Sequence, residues 1–356
     1  MPTIALEMER LRNPYSGLGQ YCLHLGHAFA ADTSVAGLDF ACMVPASSVG
    51  IFGGSVEHRE VKPWHKWVGM EIDADVWHCM HQDSEFKPRN RNIPLIYTIH
   101  DLNFLDRPDY SVAKKNERLA KMQRTMNAAK GLVYISEYVR DWVHQFLQVP
   151  AGVAEKVIYN GGFMAPYSVD NQSVKVGITR PFLFSIGIHP KKNYHVLMPL
   201  LAAESGYDWV IAGADSRGYQ AVIEKEAARW GVSDRVRFCG PVNETEKQAY
   251  YQTCEALLFP SLSEGFGLPV IEAMSFGKPV FLSNKTSLPE IGGKEAYYFQ
   301  NFDPDHLQKT FQEGIQDYQN DPKKAQKIST WAARFTWEKA AKQYKEMYFL
   351  VVRDKR

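Results

Sequence analysis

Residues 259–279 read Phe259-Pro-Ser-Leu-Ser-Glu-Gly-Phe-Gly-Leu-Pro-Val-Ile-Glu-Ala-Met-Ser-Phe-Gly277-Lys-Pro279. A short apolar run ends at Phe259, and Pro269 opens a helix, where its missing N–H costs nothing and its φ is already suitable. Gly277 supplies a left-handed cap, and Pro279 stops the helix from resuming. Strand, glycine turn and short helix in this order form a unit of a parallel α/β sheet. Gly265, Phe266, Gly267 and Leu268 make the turn. Its glycines let backbone approach a ligand closely, and the helix N-terminus attracts an anion such as a diphosphate. Glu264 and Glu272 frame it. An ionised carboxylate only accepts hydrogen bonds, so each suits the vicinal hydroxyls of a sugar. On the plainer reading, Glu272 complements the helix dipole from the first turn and Glu264 caps the helix.

Outward from this segment, apolar or β-branched runs alternate with stretches of helical period, which predicts parallel sheets crossed by helices. Strand candidates are 3–7, 40–44, 76–78, 95–99, 131–135 and 156–159, then 182–186, 209–212, 236–239, 256–259 and 280–282. Helices are expected over 20–31, 111–129 and 137–148. The chain has 356 residues, 45% of them hydrophobic and 23% charged, which is enough material for two domains with substantial cores and excludes wholesale disorder. Its net charge of +1 excludes a global field for gathering nucleic acid. No run approaches the roughly 18–20 apolar residues of a membrane span, and Glu7, Glu9 and Arg10 stand where a signal peptide would need an apolar core, so a cytoplasmic protein is expected. The five cysteines show no C-x-x-C spacing, pointing to reduced core residues and no zinc.

Further fragments carry chemistry of the same kind. Gly17 and Gly19 follow the first strand and precede a helix, either as a plain turn or as a close approach to a ligand. Cys22 stands where a third glycine would complete G-x-G-x-x-G, which argues against a nicotinamide site. His100 ends the 95–99 strand, at the carboxyl edge where open α/β sheets bind ligands, although a lone histidine also serves as a structural residue. Lys191 and Lys192, read as sitting opposite no neighbouring acid, are either solvated or neutralise a diphosphate. Asp73-Ala-Asp75 matches a manganese-binding D-x-D and reads as an accident before a strand.

The 259–279 string resembles the signature E-G-F-G-L-P-x-x-E-A of retaining glycosyltransferases of GT-B fold, in the large family-4 group that includes many bacterial mannosyltransferases. The resemblance extends in order through Tyr15-Ser-Gly-Leu-Gly19-Gln-Tyr21, Tyr97-Thr-Ile-His-Asp101-Leu, Tyr134-Ile-Ser-Glu137-Tyr, Val157-Ile-Tyr-Asn-Gly161, Phe184-Ser-Ile-Gly187-Ile-His-Pro-Lys-Lys-Asn193, Val210-Ile-Ala-Gly213, Val236-Arg-Phe-Cys-Gly240-Pro-Val242 and Phe335-Thr-Trp-Glu338. It implies two Rossmann-like, doubly wound parallel-sheet domains facing a central cleft. The expected division is 1–165 on the acceptor side, a linker at 166–181, 182–335 on the nucleotide-sugar side, and a helix at 336–356 crossing back to the first domain, with a two-strand hinge that closes on the donor.

The resemblance further implies transfer of a hexose, mannose favoured, from a nucleoside diphosphate sugar such as GDP-mannose to a hydroxyl, with retention and no metal or other cofactor. Lys191, Lys192 and the amides of 265–268 would hold the departing diphosphate. Glu264 would position the donor ring, Glu272 the ribose, Val242 and Lys247 the base, and His100 would give a hydrogen bond to a sugar hydroxyl or to the leaving group's surroundings. Many family members carry Arg-Lys where Lys191 and Lys192 stand. Rival readings are a GT-B epimerase or phosphorylase and a non-catalytic glycan-binding relative. Lys114, Lys115, Arg118, Lys121 and Arg124, on one expected helix, form either a solvated face or a patch for anionic membrane beside a lipid-linked acceptor.

Overall fold

The computed structural model describes residues 1–31, 37–164, 178 and 180–353. Most of the expected linker, 166–177 and 179, lies outside the described residues. The chain forms two compact units, Met1–Gly161 with Phe335–Arg356, and Gly162–Arg334.

Among the described residues, unit 1 holds a sheet of seven parallel strands: β1 (Thr3–Glu7), β2 (Asp39–Val44), β3 (Glu57–Glu60), β4 (Val76–Cys79), β5 (Leu95–Ile99), β6 (Ala129–Tyr134) and β7 (Ala154–Val157). Their order is β3-β2-β1-β4-β5-β6-β7. Unit 2 holds six: β8 (Phe182–Ile188), β9 (Asp208–Asp215), β10 (Val236–Gly240), β11 (Ala256–Phe259), β12 (Val280–Ser283) and β13 (Tyr297–Phe299), in the order β10-β9-β8-β11-β12-β13. In each sheet the winding reverses once, between β1 and β4 and between β8 and β11. Outside the carboxyl ends of such a pair, the connections leave in opposite directions and a ligand crevice opens.

Two strands escape the sequence reading, and both are edges. Among the described residues β3 is Glu-His-Arg-Glu and pairs only with β2, and β13 has three residues and pairs only with β12. An edge strand needs only one partner and tolerates charge, as β3 shows, and the three aromatic residues of β13 are too few for a pattern to stand out.

The last helix, Trp337–Arg353, belongs to unit 1. Its apolar stripe at Ala340, Ala341, Tyr344, Met347, Tyr348 and Val351 is buried in one core with the helix Gly17–Ala31. Polar tips inside that core are paired. Tyr344 Oη lies 2.7 Å from Tyr21 Oη, and His78 bonds Tyr348 Oη at 2.8 Å and Thr98 Oγ1 at 2.7 Å. Burial depresses the pKa of His78 to about 3, so these contacts join neutral groups.

Candidate functional site

The reversal in unit 2 sets the loop after β8 beside the loop after β11. The first is His189-Pro-Lys-Lys-Asn193, in which Pro190–Lys192 form one 3-10 turn and His189 Nδ1 accepts from the Lys191 amide at 3.2 Å. The Leu262 amide donates to the Lys191 carbonyl at 2.8 Å, fastening one loop to the other. Across that seam Lys192 Nζ lies 2.8 Å from Glu264 Oε1, and Lys191 Nζ lies 3.4 Å from Oε2. The lysines therefore do face an acid, contrary to the sequence expectation. The pair is separated by more than 70 residues, and only the β8–β11 adjacency brings it together.

Glu264 is buried, which alone would raise its pKa, yet Lys191, Lys192 and the Ser261 hydroxyl at 2.8 Å outweigh burial and hold it at about 2. Burial acts on Lys192 too and lowers its pKa, opposed by Glu264. Its ammonium also stands 4.1 Å from the centroid of Phe259, a cation–π contact. The Glu264 amide donates to Thr286 Oγ1 at 3.1 Å, and Ser287 Oγ bonds the Glu264 and Phe266 carbonyls at 3.0 Å each. Ser261, Thr286 and Ser287 were missed by sequence reasoning. Serines and threonines in loops carry no signal until the loops are brought together.

The helix after the glycine turn is Leu268–Ser275, with Gly267 as N-cap at φ 106° and no side-chain cap. Neither acid is a cap, and Glu272, fifth in the helix, sits in the second turn rather than the first. Gly265, Phe266 and Gly267 are buried and Leu268 is half-buried, so the turn is packed against the sheet end. Glu272 accepts from Lys247 Nζ at 2.8 Å and from Tyr251 Oη at 2.7 Å. Both partners ride on the helix Glu244–Thr253, fixed at its start by a capping box between Asn243 and Glu246. Burial opposes the charge of Lys247, but Glu272 and Glu244 more than offset it and hold its pKa above the usual value. Val242 is half-buried in the turn before that helix.

In unit 1, Gly17 and Gly19 are not in a loop but in the first turn of Gly17–Ala31, because Ser16 Oγ accepts from the Gly19 amide at 3.1 Å and starts the helix early. Gly19 is required by packing: a Cβ there would stand 2.1 Å from the Asn13 carbonyl oxygen. Among the described residues nothing lies within 4 Å of a Cβ at Gly17.

His100 Nε2 lies 2.8 Å from the Met80 carbonyl, which can only accept, so Nε2 carries the proton. Burial brings the pKa of His100 to about 4. The ring is thus neutral near pH 7, and its Nδ1 is an acceptor. This reverses the expected direction of any bond to a sugar hydroxyl. Gln82 holds the His100 amide at 3.1 Å and donates to Asp101 Oδ1 at 3.3 Å, so Asp101 acts on His100 through Gln82. Tyr21 meets the imidazole edge-on, with ring centroids 4.5 Å apart.

Asp75 Oδ2 accepts from the Thr3 amide at 2.9 Å, a structural task at the start of β1. Cys22, Cys42, Cys79 and Cys254 are buried and all five cysteines are free thiols.

The acid Glu7, at the carboxyl end of β1, is fully buried, and burial raises its pKa to about 7. One oxygen accepts from the Glu9 amide at 3.0 Å; the other has no hydrogen-bond partner among the described residues, with His81 Nε2 at 3.5 Å. A carboxyl raised in the folded state stabilises fully below its unfolded pKa and loses that contribution as pH rises through about 7. Glu7→Gln is therefore expected to gain about 3 kcal/mol relative to the parent between about pH 5 and pH 8.5. Urea unfolding at both pH values checks it; a pH-independent difference would discard the assignment.

Residues 170–335 match the family glycosyl transferases group 1. The chain is a glycosyltransferase. Its fold is GT-B. The glycosyltransferase is 22% identical to O-antigen chain mannosyltransferase B of Escherichia coli, over 98% of this chain and 100% of that protein. It is 28% identical over 69% of its length to the serotype-specific mannosyltransferase WbdA of Escherichia coli, of which it spans 31%. Among solved structures, sucrose-phosphate synthase from Thermosynechococcus elongatus superposes with a TM-score of 0.75 at 18% identity, covering 99% of both chains. WaaG, a glycosyltransferase involved in lipopolysaccharide biosynthesis, gives 0.68 at 14%, covering 97% of this chain and 99% of that one.

Proposed function

We propose that this glycosyltransferase moves mannose from GDP-mannose, with retention, to a hydroxyl of a glycan or lipid-linked acceptor in surface polysaccharide synthesis. The observation that carries the reading is the buried Glu264 held by Lys191 and Lys192 where the winding of unit 2 reverses, beside the Gly265–Leu268 turn. Two cations and a helix N-terminus suit a diphosphate, and a carboxylate beside them suits a sugar hydroxyl. Mannose and surface glycan follow from the names of the relatives, and retention follows from the resemblance of the motif.

In this reading the C1–O bond to the diphosphate breaks as the bond from C1 to the acceptor oxygen forms on the same face. The acceptor's proton passes to a departing diphosphate oxygen. Lys191 and Lys192 turn from Glu264 to the diphosphate and stabilise its charge, while Glu264 accepts from the mannose ring. His100 Nδ1 accepts from a sugar hydroxyl. Glu272, braced by Lys247 and Tyr251, accepts from the ribose. In this reading the enzyme works in the cytoplasm. No helix among the described residues is long and apolar enough to cross a membrane.

The test is a thermal-shift screen of GDP, UDP, ADP and their sugars, because a ligand at 100 times its Kd stabilises by about 2.7 kcal/mol. GDP-mannose is expected to give the largest shift, and product is expected only with an acceptor, in EDTA as in its absence. A larger shift with UDP-glucose would overturn the donor, and activity restored only by manganese would overturn the lysine-based mechanism. Glu272→Ala is expected to raise the Kd for GDP by about 10- to 150-fold with a smaller change in kcat. A change confined to kcat would move Glu272 away from the ribose.

A further inference from the structure

Three hydroxyls of the segment that ends β12 and follows it reach across to the turn after β11. Ser283 Oγ donates to the Ser261 carbonyl, Thr286 Oγ1 accepts from the Glu264 amide at 3.1 Å, and Ser287 Oγ shares its proton between the Glu264 and Phe266 carbonyls at 3.0 Å each. The pairing of β11 with β12 sets the two segments side by side. Asn284 anchors the second of them to the neighbouring strand, its amide on the Phe299 carbonyl at 3.3 Å and its Nδ2 on Gln300 Oε1 at 2.6 Å. Glu264 is thereby held through its backbone on both sides, in addition to the lysines that hold its carboxylate.

Two of these hydroxyls are placed at a local cost. Thr286 has φ 54°, and among the described residues Asn193 is the only other non-glycine with a positive φ. Asparagine enters the left-handed region readily, because its short polar side chain bonds the nearby backbone. A β-branched threonine does not, since its Cβ crowds the following carbonyl, and such a conformation persists only where surrounding contacts over-determine it. Glycine would adopt it freely but would bring no hydroxyl to the Glu264 amide. Ser287 departs from its usual behaviour in another way. It precedes the short helix Leu288–Gly292 and is of the type that caps a helix with its side-chain oxygen, yet it makes no such cap. The residue is fully buried, and its hydroxyl turns to the Glu264 and Phe266 carbonyls instead. Two consecutive residues thus forgo their local preferences, and both reach the same acid. Conflicts of this kind gather where function requires them.

We infer that Thr286 and Ser287 are positioning residues: they fix the peptide groups before and after Glu264, and so the direction in which its carboxylate meets the donor sugar. This rests on the proposed function, in which Glu264 accepts from the mannose ring. It adds that the carboxylate is aimed through the backbone, from the segment after β12, while Lys191 and Lys192 compensate its charge. Thr286→Val keeps the shape of the side chain and removes the hydroxyl, which frees the peptide before Glu264 to turn and the carboxylate to move with it. A misplacement of about 1 Å at a reacting centre costs about 100-fold in rate.

The experiment measures kcat with GDP-mannose, the Kd for GDP and the urea midpoint in the full chain and in four variants of it. Thr286→Val, Thr286→Gly and Ser287→Ala are expected to lower kcat about 10- to 100-fold, with the Kd for GDP within about threefold of the parent. Thr286→Ser, which keeps the hydroxyl, is expected to hold kcat within about threefold of the parent. Stability separates aiming from mere support. Thr286→Gly is expected to keep or raise the urea midpoint, because relief of the left-handed strain offsets the lost bond, and still to lose kcat. Full kcat in Thr286→Gly or Thr286→Val would overturn the proposal. So would a loss in Thr286→Ser equal to that in Thr286→Val, or a fall in kcat matched by an equal loss of GDP affinity. Hydrogen exchange, read with no donor present, keeps this test apart from the functional reading: Thr286→Val is expected to speed exchange of the Glu264 amide about 5- to 10-fold. Unchanged exchange there would overturn the clamp. A parent chain without turnover on any nucleotide sugar would sink the functional reading, while the exchange still decides whether Thr286 holds Glu264.

Discussion

Glu264→Gln is expected to keep the fold and to lose about 100- to 1000-fold in kcat, with a lesser effect on GDP binding. Glu264 is the acceptor on which Lys191, Lys192 and Ser261 converge, and the amide that replaces it is neutral and accepts through one oxygen only. A hydrogen bond to a charged group contributes about 1.5–3 kcal/mol, and loss of one or two such bonds in the transition state gives effects of this size. A second readout belongs to the same carboxylate. Its folded pKa of about 2 lies below the ordinary value of 4.5, so its contribution to stability is complete above that ordinary value and is lost as pH falls toward 2. The depression corresponds to about 3 kcal/mol. Urea unfolding of the parent and variant between about pH 5 and pH 2.5 is expected to show the difference between them shrinking as the acid is protonated. Parallel curves, together with an unchanged kcat, would show that Glu264 neither holds the lysines nor meets the sugar.

What the sequence could disclose follows from the range over which each signal acts. The strands β1, β5 and β11 are legible to the residue because they are buried on both faces and read as continuous apolar runs. Gly267 and Gly277 are legible because their backbones, at φ 106° and 68°, demand glycine locally. The pairing of Lys192 with Glu264 is not local, and it could be found only by supposing which strands lie side by side. The acids and lysines are therefore legible as separate residues, while their mutual contact is not. The early start of the Gly17–Ala31 helix was within reach, since a serine three residues before a glycine amide can cap a helix. Two glycines in one turn argue against helix on propensity. Packing against Asn13 overrides that preference: the close approach needs a residue without a side chain at Gly19, whatever the helix loses by it.

Deleting residues 336–356 is expected to unfold unit 1 while unit 2 still binds GDP. The removed helix contributes Ala340, Ala341, Tyr344, Met347, Tyr348 and Val351 to the unit 1 core. Three of these are large side chains at 2% exposure or less, and each such burial is worth about 1.5–3 kcal/mol, with a cavity cost added where it is lost. The sum approaches the whole stability of about 5–15 kcal/mol that a domain has. The deletion also strips partners from buried polar groups. His78 loses Tyr348, and Tyr21 and Thr98 both lose Tyr344, leaving donors and acceptors unpaired in an apolar interior. Hydrogen exchange gives the decisive reading: protection across β1, β4, β5 and β6 is expected to collapse, with β8, β9 and β11 unchanged. A truncated chain that keeps native protection in β4 and β5 would mean that unit 1 folds without its last helix. Tyr344→Phe separates the helix's structural role from its reach toward the site. It leaves the ring in the core and removes only the hydroxyl that touches Tyr21 and Thr98, and the Tyr21 ring in turn rests on His100. If Tyr344 helps place His100, the variant lowers kcat while shifting stability by only about 1 kcal/mol. An unchanged kcat confines the helix to holding the core together.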